Sequence, residues 1–76
     1  MRLKEDIDII AFLKCVKNCR QEVYFDSAEG DHLDLKSALS QYVLTASLRN
    51  GEFLQEGCVA CENEEDYEIL RAFLIG

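Results

Sequence analysis

The spacing of apolar residues along the chain changes period several times. Ile9, Phe12, Leu13 and Val16 recur three and four apart, which predicts a helix from Glu5 to about Cys19. Glu5 and Asp6 would occupy its first turn, where the helix dipole favours acids, and Lys17 its last. Ile7, Ile10 and Ala11 widen the apolar stripe beyond one face. That surplus is either covered by the N-terminal residues or turned towards a partner or a second copy. Val23 and Phe25 then alternate with polar neighbours, so Glu22 to Asp26 reads as a strand. Residues 27–31 make a turn in which Gly30 supplies a positive φ. His32 to Leu35 returns as the partner strand of a hairpin.

After Lys36 the period becomes helical again. Leu39, Tyr42 and Val43 fall on one face of a helix running from Ser37 to about Ser47. Ser37 stands at the switch, where its hydroxyl would cap the first turn. Arg49-Asn50-Gly51 is read as the stop and a tight turn. Glu52 to Ala60 is read as a strand with a bulge at Gly57. Asn63, with Asp66 three residues on, resembles a capping box. It opens a last helix whose stripe is Tyr67, Leu70, Phe73 and Leu74. Met1 to Lys4 adds at most a stub of strand. The order is (β)-α-β-β-α-β-α over residues 1–76, one domain of α+β class. Helices would cover one face of a mainly antiparallel sheet and leave the other open.

Composition narrows the partners. Fifteen acidic against eight basic residues give a net charge of −7. Such a surface repels phosphate backbones and anionic membranes, so nucleic acid and membrane are not expected as partners. No apolar run approaches the length of a membrane span, and the N-terminus has no long apolar segment, which points to the cytoplasm. No cofactor motif is present.

The stretch Leu33-Asp34-Leu35-Lys36-Ser37 resembles the "N-L-K-S" stretch of HPr, the small phosphocarrier of the bacterial sugar phosphotransferase system. The resemblance runs from about Glu5 to Phe73 and includes the hairpin, the turn at residues 49–51 and the acidic start of the last helix. It implies an HPr-like two-layer open-faced sandwich. It also implies that Ser37 matches the family's regulatory phosphorylation site, and that Leu39 and Tyr42 lie on the docking helix. The family's phosphoacceptor histidine, however, has no counterpart here. Glu5 falls at its position and Ile7 at that of the arginine. Carboxylates there would repel a phosphoryl group that needs cationic or N–H donors, so no histidine phosphoryl transfer is expected.

His32 is the only histidine and is placed in a strand, on the face opposite Leu33 and Leu35, with no anion site beside it. Tyr24 is placed beside it on the open face. Cys15, Cys19, Cys58 and Cys61 have the composition of a zinc site, and the last two form a C-x-x-C pair. Residues three apart on a strand point to opposite faces, which argues against convergence on a metal and for small buried side chains. A redox role for the pair meets the acids Glu62, Glu64 and Glu65, which would hinder thiolate formation. The expected function is a non-catalytic HPr-like protein acting through contacts with a protein partner. The alternatives are a ferredoxin-like small-ligand regulatory module and a cysteine-based zinc module. A short first strand would leave a sheet edge free, a route to a homodimer.

Overall fold

In a computed structural model, the chain is described over residues 1–47 and 51–75, with backbone only at 51 and 52. The predicted turn at Arg49 and Asn50 lies outside the described residues. The elements are β1 (Arg2–Leu3), α1 (Ile9–Lys17), β2 (Val23–Asp26), β3 (His32–Asp34) and α2 (Ala38–Ala46). They continue with α3 (Gly51–Glu56), β4 (Cys58–Cys61), α4 (Asp66–Leu70), a 3₁₀ turn (Arg71–Phe73) and β5 (Leu74–Ile75). This is an α+β fold with antiparallel sheets and four α-helices among the described residues.

Two antiparallel sheets form the β layer. In one the strands lie in the order β3-β2-β4; in the other β1 pairs with β5, Leu3 opposite Leu74. A backbone exchange joins the two: Val59 N–H donates to Met1 O at 2.6 Å, and the Met1 amine donates to Val59 O at 3.3 Å. The first strand is therefore not the free edge expected of it, since it has a neighbour on either side. Leu3, Phe12, Val16, Val23, Phe25, Leu35, Leu44, Val59 and Leu70 are buried together in one core. The helices thus lie on the Val23–Phe25 side of the sheet. Phe12 meets Phe73 edge to face, with ring centroids 5.6 Å apart.

Helix α1 begins at Ile9, four residues later than the spacing suggested. Asp6 adopts φ 56°, a left-handed backbone that stops a helix from extending upstream. Asp8 becomes the N-cap, its carboxylate accepting from Ala11 N–H at 3.1 Å. The hairpin is as expected, with Phe25 opposite Leu33 and Gly30 at φ 96°. Ser27 and Asp31 bond to each other across its turn.

The largest departure is α3, where a strand was expected. Phe53 and Leu54 are adjacent, and a strand would send one of them to each face of the sheet. On a helix both reach the core side, where Leu54 is buried and Phe53 packs with its ring 5.5 Å from Phe25. Gly57 is no bulge but the joint between α3 and β4. A Cβ added there would stand 2.1 Å from Phe25 Cζ, so glycine is the residue that fits.

The last helix is also shorter than expected. Glu65, not Asn63, is its N-cap; Asn63 instead accepts from Glu65 N–H at 2.9 Å in the preceding turn. Asp66 is not the return arm of a capping box. It is buried, and its carboxylate accepts from Arg20 N–H at 2.9 Å and Gln21 N–H at 3.1 Å. These bonds tie the loop after α1 to α4. Leu70 fills the core as expected, while Leu74 leaves the helix and buries its side chain from β5.

Candidate functional site

The turn into α2 brings the residues singled out in the sequence to one end of the molecule. Asp34 makes that turn: its carboxylate accepts from Lys36 N–H at 3.0 Å and its carbonyl from Ser37 N–H at 2.9 Å. Lys36 then reaches back with its ammonium 2.6 Å from Cys19 O, fixing the entry of α2 against the end of α1. Ser37 occupies the N-cap position, with φ −80° and ψ 134°, and its carbonyl accepts from Gln41 N–H. Its hydroxyl makes no capping hydrogen bond, contrary to expectation. The turn is already closed by Asp34, and Gln41 Nε2 bonds Leu35 O at 2.9 Å. Ser37 is half-buried at the start of a nine-residue helix.

Leu35 and Leu44 set which side of α2 faces inward. Leu39 and Tyr42 consequently stand outside, 73% and 72% exposed. Ile10 on α1, part of the surplus stripe, is 55% exposed. A groove of about 370 Å³ lies between the two helices, lined by Ile10, Leu13, Lys14, Lys17, Ala38, Gln41, Tyr42 and Thr45. Among the described residues its only charges are the two lysines, a positive notch on an acidic chain. Nothing in the sequence marks Lys14 and Lys17 as part of a site. Their place beside Tyr42 depends on the α1–α2 packing, which the sequence does not display.

The loop ahead of α1 holds Glu5 and Ile7. Glu5 is exposed, and Ile7 packs on the edge of the core. A second cavity of about 370 Å³ is bounded by this loop, Leu3, Ile9, and Leu54 and Gln55 of α3. Reading residues 52–60 as a strand hid this cavity, since Leu54 and Gln55 reach the loop only from a helix.

On the other side of the molecule, Tyr24 and His32 stack with centroids 4.4 Å apart and planes 23° from parallel. This is the adjacency expected across the hairpin. His32 Nδ1 also pairs with Asp26 Oδ1. The cysteines separate as strand alternation requires. Cys58 is exposed on the open face and Cys61 turns towards the core, near Cys19. All four are free thiols, and no group of three or more His, Cys, Asp or Glu among the described residues is placed to hold a metal. Burial, with Cys19 and Asp66 nearby, pushes the Cys61 thiol up to about 11. Burial is thus the main obstacle to its ionisation, ahead of the local acids expected to hinder it.

Compared with protein-family models, with curated proteins and with solved structures, the chain matches none of them. No helix among the described residues is long and apolar enough to cross a membrane.

Proposed function

We propose that this chain is a bacterial, cytoplasmic HPr-like protein that works by docking to other proteins and not by phosphoryl transfer through histidine, with Ser37 as a regulatory phosphorylation site. The observation that carries the reading is the exposure of Leu39 and Tyr42 on the helix that Ser37 opens, with Tyr42 lining the groove against α1. Exposed apolar side chains beside a shaped groove favour a protein partner. Lys14 and Lys17 favour one that brings carboxylates to this face.

The hydroxyl of Ser37 supports the regulatory part. It is not engaged in capping, so phosphorylation would break no such bond. The added charge would lie at the N-terminus of α2, where the helix dipole is favourable, although Asp34 opposes it. The open-faced sheet and the run of elements from α1 to α2 agree with the resemblance. The helix α3 and the strand β5 depart from it. Glu5 in the loop before α1 supports the loss of histidine chemistry, because a carboxylate repels the group to be transferred.

The test is the intact mass of the protein in two incubations. One contains phosphoenolpyruvate and the first enzyme of the sugar phosphotransferase system. The other contains ATP and the kinase that modifies HPr on serine. A phosphate gained only in the second, absent in Ser37→Ala and slowed in Leu39→Ser/Tyr42→Ser, is the expected result. A phosphate gained in the first incubation, or in neither, overturns the reading.

A further inference from the structure

The open face of the β3-β2-β4 sheet has a composition that stability does not call for. Tyr24 lies across from Asp34 on one side and Ala60 on the other, and Asp26 lies between His32 and Cys58. Glu22 and Glu62 continue the same face at its end. Four carboxylates thus surround one stacked Tyr24–His32 pair. Of these four, only Asp26 forms an ion pair among the described residues, with His32. Among the described residues, no lysine or arginine forms an ion pair with Glu22, Asp34 or Glu62. Lys36, the nearest lysine in sequence, has its ammonium on Cys19 O and acts on Glu22 only through space, less strongly than Asp34 does. Arg20 pairs with Glu65, off this face.

We infer that this face docks an arginine-bearing segment of a basic protein, the guanidinium lying against Tyr24 among the carboxylates of Glu22, Asp34 and Glu62. The inference stands apart from the proposed function, which concerns the helical side of the molecule.

The charge is complementary, both on the face and over the chain as a whole at −7. The geometry selects arginine over lysine. A planar guanidinium stacks on an aromatic ring and donates to carboxylates at the same time, which a compact ammonium does not do. His32 takes one side of the Tyr24 ring. Ala60, across β4, contributes only a methyl group and leaves that flank low. Tyr24 also donates to Glu62 Oε1 at 3.0 Å, which holds the ring and a carboxylate together. The Asp34 carboxyl beside it, with burial and Glu62, pushes the Glu22 carboxyl above its usual range, and Lys36 offsets this only in part. Glu22 Oε2 is sealed from water and has no hydrogen-bond partner. A guanidinium placed here relieves the repulsion between these carboxylates.

The probes are acetylated hexa-arginine and hexa-lysine peptides, titrated into the ¹⁵N-labelled protein at about 0.1 M salt, where diffuse attraction is partly screened. Hexa-arginine is expected to shift the amide signals of residues 22–26, 32–34 and 58–62, and to bind several-fold more tightly than hexa-lysine. Glu22→Gln/Asp34→Asn, which keeps both side-chain shapes, weakens it about tenfold. Tyr24→Leu weakens it and removes the preference for arginine. Glu64→Gln/Glu65→Gln removes the same charge beside α4 and changes the affinity less than about twofold. Equal losses in the two double variants, equal affinity for the two peptides, shifts spread over the whole acidic surface, or no binding overturns the inference. The acid-pair variant decides the question alone if Tyr24→Leu does not fold.

Discussion

Tyr24 and Phe25 are neighbours on β2 and face opposite ways. Phe25 is sealed in the core against Leu33, Val59, Phe53 and the bare backbone of Gly57. Tyr24 is half-buried on the open face amid Glu22, Asp34 and Glu62. The inner face tolerates no extra atom, while the outer face tolerates four carboxylates with one basic partner. The same contrast separates two acids. Asp66, inside, is held below the usual carboxylate range, first by the N–H of Arg20, against its burial, and then by the N–H of Gln21. Glu22, on the sheet, is pushed above it, first by its bond to Asp34. One carboxylate holds the fold together by being ionised, and the other is easier to accommodate protonated. A carboxylate therefore stabilises this fold where backbone donors converge on it, and works against it where other carboxylates do.

The sharpest way to break the contrast is to add one carbon on the inner side. Gly57→Ala drives a methyl into the tip of the Phe25 ring, 2.1 Å from Cζ, and Phe25 is fully enclosed, so its surroundings must shift. The expected loss is ~3 kcal/mol, a fall in Tm of roughly 10–20 °C. A melting curve within a few degrees of the parent would mean that the inner face is looser than described.

Asp66→Ala comes next. It leaves the N–H groups of Arg20 and Gln21 without their acceptor. The fall in Tm is expected to be somewhat smaller than for Gly57→Ala and to depend on pH. A carboxyl whose folded pKa is depressed contributes stability above its unfolded pKa of about 4 and loses it as pH falls through the folded value. Asp66→Asn should therefore flatten the acid side of the stability profile while changing little below it. An unchanged acid limb in urea titrations at several pH values would refute this role.

How much of this was legible in the sequence follows from the same contrast. Alternation and helical spacing displayed α1, the hairpin and the meeting of Tyr24 with His32, because each depends on neighbours in sequence. The doublet Phe53-Leu54 was misread because its two side chains are compatible with a strand until the core position of both is known. The type and place of Ser37 suit a capping bond, yet Asp34 closes the turn first. The spacing of Asp66 from Asn63 points to its own helix, while its partners lie more than forty residues earlier in the loop after α1. The pairing of β5 with β1 joins the two ends of the described chain, which no local pattern reveals. Around α2, the exposure of Leu39 and Tyr42 follows from Leu35 and Leu44 taking the inward side. The lysines of the groove come from another helix altogether.

The two faces also differ in the reactivity of one C-x-x-C pair. Cys58 points outward, whereas Cys61 is half-buried with its thiol raised to about 11. With a disulfide reagent at about pH 8, Cys58 should react at least tenfold faster than Cys61 in the folded protein, and the two should converge in urea. Mass mapping of the labelled peptides reads the order. Equal rates without denaturant would mean that Cys61 is not shielded.

The smallest expected effect is the most discriminating, because its sign opposes that of every change on the inner face. A carboxyl whose folded pKa is raised adds stability while protonated, and that stability is lost as pH rises through the folded value. Ionised, Glu22 therefore works against the fold, with Asp34 and Glu62 beside it and Lys36 offsetting them only in part. Glu22→Gln removes the charge and keeps a side chain that donates to Asp34. It is expected to raise Tm by a few degrees at pH 7 and to leave it unchanged at about pH 3.5, where the parent carboxyl is protonated folded or unfolded. Thermal melts at the two pH values check both. A fall in Tm at pH 7 would mean that Glu22 is held by a favourable partner, and the open face would then be a stabilised surface and not a charged one left unpaired.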